Sequence, residues 1–415
     1  MKTSKQHEKK IVWFVASLQQ RGGGERFVLE TVRALRKSGL KTSLICDRLS
    51  DEASFDGTYD LSDVVDLEQS GVSEKYFLRL LQKCLGIFSL YAAVRRERPT
   101  LIICQSEHDA IKISIISKLL NCRYRVFIFG QMFQFKTDIS KYSRVFREHL
   151  EIITASSPGY GRNVTLPPPR LKLTLKVLNE ILSYCKYQSI RAADKIFVVS
   201  NQVRWEVSLL YKREASVARA AISTELIDRE RLLAPKRVSE TPRILSVCRL
   251  VDKKRVDLII EAFSLSGISG TLRIVGTGHA ADRLKDLTEN CDSVGEVQFL
   301  GALSDQEIVQ ELDEADCFVS MDIGDFDISV VEAMAKGLRV IVATDFDLDS
   351  FPRDISGVVA VVPLVETLAC VFRHLDQISS PGPNNIGALE ELTWDSLAAK
   401  CVAETEFSSE IRVLV

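Results

Sequence analysis

Three charged side chains stand where apolar segments end, and their types suit a phosphorylated, hydroxyl-bearing ligand. In SVCRLVDKKRVDLIIEAF (246–263) an apolar run ends at Cys248, which puts Arg249 at its tip and Lys254 five residues on, ahead of a helical pattern. A guanidinium grips phosphate oxygens two at a time and an ammonium adds a point charge. The pair could stabilise a leaving diphosphate without a metal. A solvated basic turn, with Lys253 and Arg255 included, is the plain alternative. The third residue, Glu332, lies about one turn into a helical pattern (ISVVEAMAKG, 328–337) that follows an irregular loop. There its carboxylate can accept hydrogen bonds from two vicinal hydroxyls, as a ribose presents them. The alternative is a carboxylate answering the helix dipole. The small residues of EAMAKG would let a ligand or another backbone come close.

A glycine loop forms a second constellation. RGGGER (21–26) follows the first apolar run and opens a helix. Gly22, Gly23 and Gly24 let backbone amides approach a phosphate or sugar, with the partial positive charge of the helix start behind them. The loop is neither G-x-G-x-x-G nor a Walker sequence, and a glycine turn before a helix accounts for it as well. VGTGH (275–279) reads as a tight strand-to-helix turn. His108, in QSEHDA, and Gln131, in FIFGQMFQF (127–135), follow later apolar runs and are the candidates on the opposite side of a cleft; for His108 a polar loop histidine is the plainer reading. The acids of DFD (325–327) and DFDLD (345–349) read as loop acids, since a two-cation site makes a metal unnecessary.

These side chains must be held by sheets. Short β-branched runs at 10–17, 40–46, 100–105 and 124–130 alternate with helical patterns. A second series follows: 243–248, helix 256–266, 271–276, helix 280–290, 297–301, helix 304–313, 317–321, helix 328–336 and 338–343. Such alternation specifies βαβ units on parallel sheets. A helical stretch 170–191 opens at PPPR, the strand 194–200 follows, SSPGPNN (379–385) breaks the chain, and a last helix spans about 392–406. We read an α/β chain of two Rossmann-like doubly wound domains facing a central cleft. The boundaries are 1–220 for the first domain, 221–242 for a linker and 243–385 for the second domain. Residues 386–415 form a helix returning towards the first.

Composition sets the limits. A chain of 415 residues exceeds one core, and 46% hydrophobic residues suffice for two. With 54 basic against 56 acidic residues, general polyanion binding is disfavoured and no nucleic-acid partner is expected. Ten cysteines, scattered singly, read as free thiols in a reducing cytosol. No apolar span reaches 18 residues, and MKTSKQHEKKIVWFVASL reads as a first strand, not a signal peptide.

In their order and spacing, GGGERFVLETVRALRKSG, ADKIFVVS, CRLVDKKRVDLIIEAF, LRIVGTG, VQFLGALSDQEIVQELDEADCFVS, ISVVEAMAKGLRVIVA and LTWDSLAAK resemble the family-4 glycosyltransferases of the GT-B fold. The resemblance implies transfer of a sugar from a nucleotide donor, UDP- or GDP-linked, with retention and with no cofactor or divalent metal. It also implies that Arg249 and Lys254 hold the donor diphosphate, that Glu332 binds the ribose, and that the loop 22–24 faces donor and acceptor. The donor-binding set would comprise Gly22, Gly23, Gly24, Asp322, Gly324, Asp325, Phe326, Asp327, Ile328, Ser329 and Glu332, with His108 and Gln131 on the acceptor side. Where the family has Glu-x7-Glu, Gly324 stands for the first Glu, the one expected at the donor sugar's hydroxyls. Asp325 and Asp327 replace glycines, as does Cys248. Asp327 could cap its helix and repel a phosphate there, and Asp322 or Asp325 could substitute for the lost Glu. The expected role is transfer to a glycan or lipid-linked acceptor in surface-polysaccharide or glycoconjugate assembly. The setting is cytoplasmic; the basic helix 170–191 reads first as a core-facing helix with a solvated basic side, and its functional alternative is peripheral contact with an anionic membrane. The departures also admit a non-catalytic homologue that binds nucleotide or a partner transferase. A dinucleotide enzyme lacks its fingerprint here.

Overall fold

Strands form where short β-branched runs are apolar on both faces, the pattern of a parallel sheet covered by helices on either side. In this computed structural model, residues 9–19, 22–54, 57–67, 76–129, 173–219, 221–235, 237–322, 327–344 and 355–403 are described. The first sheet is parallel, in the order β3 (Val65–Asp66), β2 (Lys41–Cys46), β1 (Lys10–Val15), β4 (Leu101–Gln105), β5 (Arg123–Ile128), β6 (Lys195–Val198), β7 (Ser216–Val217). The second is also parallel, in the order β10 (Glu296–Gly301), β9 (Thr271–Val275), β8 (Arg243–Val247), β11 (Cys317–Ser320), β12 (Arg339–Ala343), β13 (Val358–Val361). In each, the strand order reverses beside the first strand of the domain. The crevices for ligands therefore open past the ends of β1 and β4 in one domain and of β8 and β11 in the other.

The helices that carry the site are set by local rules. Gly23–Lys37 starts at Gly22, whose amide-rich end has no side-chain cap. Asp305–Glu314 is opened by a capping box between Ser304 and Glu307. The helix Val256–Ser266 falls where the periodicity places it and ends on left-handed Gly267. The 3₁₀ turn Thr224–Leu226 and the helix Arg229–Leu233 follow the first domain. There the Asp228 amide donates to the carbonyl of Ala335 at 2.9 Å, and Arg231 donates to the carbonyls of Asp313 and Ala315. The small residues of EAMAKG thus seat a backbone, not a ligand.

The structure adds elements that the sequence pattern does not announce: β3, β7 and β13, and the helices Tyr76–Glu97, Val365–Arg373 and Asn384–Glu391, the last starting inside SSPGPNN. The helix opened by the PPPR stretch begins at Leu173, and PPPR itself lies outside the described residues.

The final helix, Trp394–Val402, lies on the first domain. Trp394 packs edge-on to Phe27 at 5.9 Å, Lys37 pairs with Asp395 at 3.5 Å, and the fully buried Arg125 donates to the carbonyl of Cys401. Trp394 extends an aromatic cluster of Trp13, Phe27, Phe127 and Phe197 in the first-domain core. Emptying that place leaves a cavity that a helix anchored from both sides cannot close. We expect Trp394→Ala to lower unfolding stability by about 3 kcal/mol, read as a shift in the urea midpoint; an unchanged midpoint would show that the helix is not anchored there.

Candidate active site

Arg249 stands exposed one residue beyond Cys248, in the loop that leaves β8. The VGTG turn after β9 holds that loop by backbone contacts: Leu250 N–H donates to the Thr277 carbonyl at 2.8 Å. Gly276 has φ +133°, and a Cβ there would lie 1.9 Å from the Cys248 carbonyl oxygen. Only glycine permits this approach, so the glycines of VGTG position the Arg249 loop and need no phosphate to explain them.

Lys254 ends a single 3₁₀ turn, Asp252–Lys254, and points back to the end of β11. Its Nζ is 2.6 Å from Asp322 Oδ2 and 3.7 Å from Asp327 Oδ2, both carboxylates being buried. Burial pulls the ammonium pKa down, but Asp327 and Asp322 outweigh it and hold the group charged far above its usual range. Burial pushes the neighbouring Cys248 thiol up to about 12, so it stays protonated. Asp327 is the N-cap of Ile328–Ala335: its carboxylate accepts from the Ser329 amide at 3.2 Å and from Ser320 Oγ at 2.8 Å. An amide that could otherwise face a phosphate is thereby occupied. Lys254 reaches the cleft already paired, and Arg249 supplies its exposed positive charge.

The glycine loop lies between the two domains. A Cβ on Gly23 would meet Ile328 Cδ1 of the second domain at 3.8 Å, and one on Gly24 would meet Gln105 Nε2 of the first at 3.7 Å. One turn into its helix, Arg26 reaches across to Glu332, Nη1 to Oε1 at 2.8 Å, with Glu332 only 7% exposed. Burial raises the Glu332 pKa and Arg26 opposes the rise, while Asp305 adds to it. Burial likewise acts against the Arg26 charge, and Glu332, Tyr59, Asp305 and Glu30 more than restore it. Beside it Glu25 is raised by burial, with its own amide and then Arg249 pulling it back, so Arg249 too has a carboxylate of the glycine loop nearby.

On the first-domain side, the ends of β1, β4 and β5 enclose a hollow of about 440 Å³ whose walls include Ser17, Gln105, His108, Asp109 and Phe129. Ser106 caps the helix Glu107–Leu120, accepting from the Asp109 amide at 3.2 Å, and does so with φ +110°, a region that costs a non-glycine residue strain. His108 is exposed at the hollow's rim.

The structure therefore brings Arg249, Lys254, Asp322, Asp327, Ile328, Ser329, Glu332 and the loop Gly22, Gly23, Gly24 to one cleft, with His108 in the facing hollow. Gly324, Asp325, Phe326 and Gln131 lie outside the described residues. Asp322, read from the sequence as one substitute for the Glu replaced by Gly324, has its Oδ2 committed to Lys254. Sequence reasoning passed over Glu25, Arg26, Gln105 and Asp109. Glu25 and Arg26 had a signal, two charges directly behind three glycines; their partners in the other domain had none. Among the described residues, no group of three or more His, Cys, Asp or Glu side chains could hold a metal.

Removing the Arg26 charge leaves Glu332 buried and uncompensated. We expect Arg26→Met to cost on the order of 3 kcal/mol at neutral pH. The folded pKa of Glu332 is raised, so the penalty belongs to its ionised form and shrinks as pH falls through that pKa. Thermal unfolding of both proteins across pH 5–8 checks this; a penalty that grows on acidification would contradict it.

Comparison with known proteins bears on the family and the fold. Residues 228–369 match the family described as glycosyl transferases group 1. The amylovoran biosynthesis glycosyltransferase AmsK of Erwinia amylovora is 31% identical over 180 residues, 41% of this chain and 42% of that protein. A putative colanic acid biosynthesis glycosyltransferase, WcaL of Escherichia coli K12, is 32% identical over 118 residues, 26% of this chain and 29% of that one. The matches thus span less than half of either relative. Among solved structures, Anabaena HepE in complex with UDP-glucose aligns with a TM-score of 0.65 over 94% of this chain and 98% of that one, at 13% identity. A glycosyltransferase from Rickettsia africae aligns at 0.64 over 95% and 97%, at 17% identity. The family match is confined to residues 228–369, and the two Rossmann-like domains have the GT-B fold.

Proposed function

We propose that this chain is a retaining glycosyltransferase of family-4 type that moves a sugar from a UDP- or GDP-linked donor to a glycan or lipid-linked acceptor in polysaccharide assembly. The observation that carries the reading is the convergence of Arg249, Lys254 and Glu332 at the carboxyl end of the second sheet, opposite the glycine loop. Arg249 and Lys254 would stabilise charge on the departing diphosphate, and Glu332 would take the ribose hydroxyls. The relatives in amylovoran and colanic acid biosynthesis support the polysaccharide setting, and the HepE complex with UDP-glucose supports a nucleotide-sugar donor. Retention rests on the family resemblance.

The donor has to compete with contacts already made. Lys254 must share itself between a diphosphate and two carboxylates, and Glu332 must yield Arg26 or hold it alongside the ribose. These pairings, with the Asp327 cap, favour a second reading: a homologue that binds nucleotide without transfer. Arg249→Ala or Lys254→Ala should lower transfer by about two orders of magnitude, the size seen when one preorganised charge is lost from a transition state, with the melting temperature kept for Arg249→Ala. Full activity in both would sink the assignment, and nucleotide binding without turnover on any acceptor would favour the second reading.

Among the described residues no helix is long and apolar enough to cross a membrane. The helix Leu173–Ala192 exposes Val177, Ile181, Leu182 and Tyr184, with Arg191 exposed near its end. We place the protein on the cytoplasmic face with this helix against anionic lipid. It should float with phosphatidylglycerol vesicles and lose them on Ile181→Asp; equal flotation of that variant would refute the placement.

A further inference from the structure

The helix Gly23–Lys37 opens with two adjacent opposite charges, Glu25 and Arg26, and each has its counterpart in the second domain. Arg26 Nη1 stands 2.8 Å from Glu332 Oε1, and the Glu332 side chain behind it is 7% exposed. Glu25, which burial raises, is pulled back by its own amide and by Arg249. The loop closes on the helix that carries Glu332, since a Cβ on Gly23 would meet Ile328 Cδ1 at 3.8 Å. A nucleoside diphosphate would ask the same of that wall: a cation for its anionic oxygens and a carboxylate for its ribose hydroxyls. With the guanidinium in front of it, Glu332 has almost no surface left for two hydroxyls.

Arg26 has other acids to turn to. Burial acts against its charge, and Glu332, Tyr59, Asp305 and Glu30 more than restore it. Asp305, the first residue of the helix Asp305–Glu314, acts on Glu332 as well, adding to the rise that burial causes and Arg26 opposes. Glu30, one turn along the helix from Arg26, is held in place by the Tyr59 hydroxyl at 2.8 Å and by Arg33 at 3.5 Å. A guanidinium among several carboxylates can leave one and stay compensated by the rest. Its departure from Glu332 therefore avoids the cost of an isolated buried cation.

We propose that Arg26 is a gate on the nucleotide side: it covers the carboxylate that would take the ribose, and a donor enters by exchanging its hydroxyls for the guanidinium at Glu332 while Arg26 turns to Asp305. This rests on the transferase reading given above and adds to it a competition between a first-domain side chain and the donor. Arg26 is thus a positioning residue, acting on the donor through Glu332. Because the ion pair joins the two domains, the exchange also frees the glycine loop from the second domain. The apparent affinity for nucleotide is then lower than the intrinsic one by the fraction of chains in which Glu332 is uncovered.

The test is calorimetric titration of the full chain and of Arg26→Met with UDP, GDP and their 2′,3′-dideoxy counterparts, which lack both vicinal hydroxyls. Removing the guanidinium should tighten binding of the ribonucleotide about tenfold, the gain expected if Glu332 is uncovered in about one chain in ten, and should leave the dideoxy form unchanged. A side chain serving packing alone would move both forms together or neither. Arg26→Lys keeps a counter-charge on the buried carboxylate and so guards against loss of the fold; with one ammonium in place of the forked guanidinium, it should give the same selective gain at about threefold. Ribonucleotide binding that is unchanged or weaker in both variants, or an equal gain for the dideoxy form, would overturn the gate. If none of the three proteins binds any of these nucleotides, the donor reading itself falls and the exchange falls with it.

Discussion

The ion pair between Arg26 and Glu332 is the contact on which the cleft depends. It joins the glycine loop of one domain to the buried carboxylate of the other, at 2.8 Å, in a place from which water is largely excluded. Neither group is tolerable there alone: a buried unpaired charge costs several kcal/mol, and the pair removes that cost for both. The helix Gly23–Lys37 lies under the final helix, Trp394–Val402, so the same first-domain element carries the cleft contact at its start and holds the C-terminal chain along its length. The arrangement of the domains and the state of the Glu332 carboxylate are therefore one physical question.

Topology explains why so few residues make a site. Each parallel sheet reverses its strand order once, and the described residues that follow the strands at that point are the ones bearing chemistry: Gly22 to Gly24 and Gln105 to Asp109 in the first domain, Arg249 to Lys254, Asp322 and Asp327 in the second. The two crevices differ in charge. The second-domain side holds Arg249 and Lys254 set against Asp322 and Asp327, close to neutral, with each carboxylate placed where it fixes a side chain or an amide. The first-domain side holds acids and an amide with unspent acceptor capacity.

Much of the fold was legible because buried parallel strands and amphipathic helices write their periods into the chain. Apart from Lys10 and Gln105 at their ends, the runs that became β1 and β4 are unbroken apolar segments; those of β2, β8 and β9 carry polar residues among β-branched and apolar ones, and Val256–Ser266 has its apolar stripe and its terminal glycine. What escaped has physical reasons. β3 and β7 are two residues long, too short for any period, and Asn384–Glu391 starts at Pro383 inside a stretch whose composition signals a turn. Tyr76–Glu97 is apolar with no marked face. For the site, the residue types at Arg249, Lys254 and Glu332 were readable, whereas the occupants were not: that Lys254 would be claimed by Asp322, or Glu332 by Arg26, depends on approaches between loops far apart in sequence. EAMAKG illustrates the limit, since small residues announce a close approach without saying that the visitor is the backbone at Asp228.

The central claim is that the second domain's cations receive a nucleoside diphosphate although they already hold internal partners. Calorimetric titration of the native chain with UDP and GDP, repeated with Arg249→Ala, tests it most directly. The account requires saturable binding of at least one of the two, weakened by about tenfold or more when the Arg249 charge is removed. Binding of neither nucleotide, or equal affinity without Arg249, would contradict it.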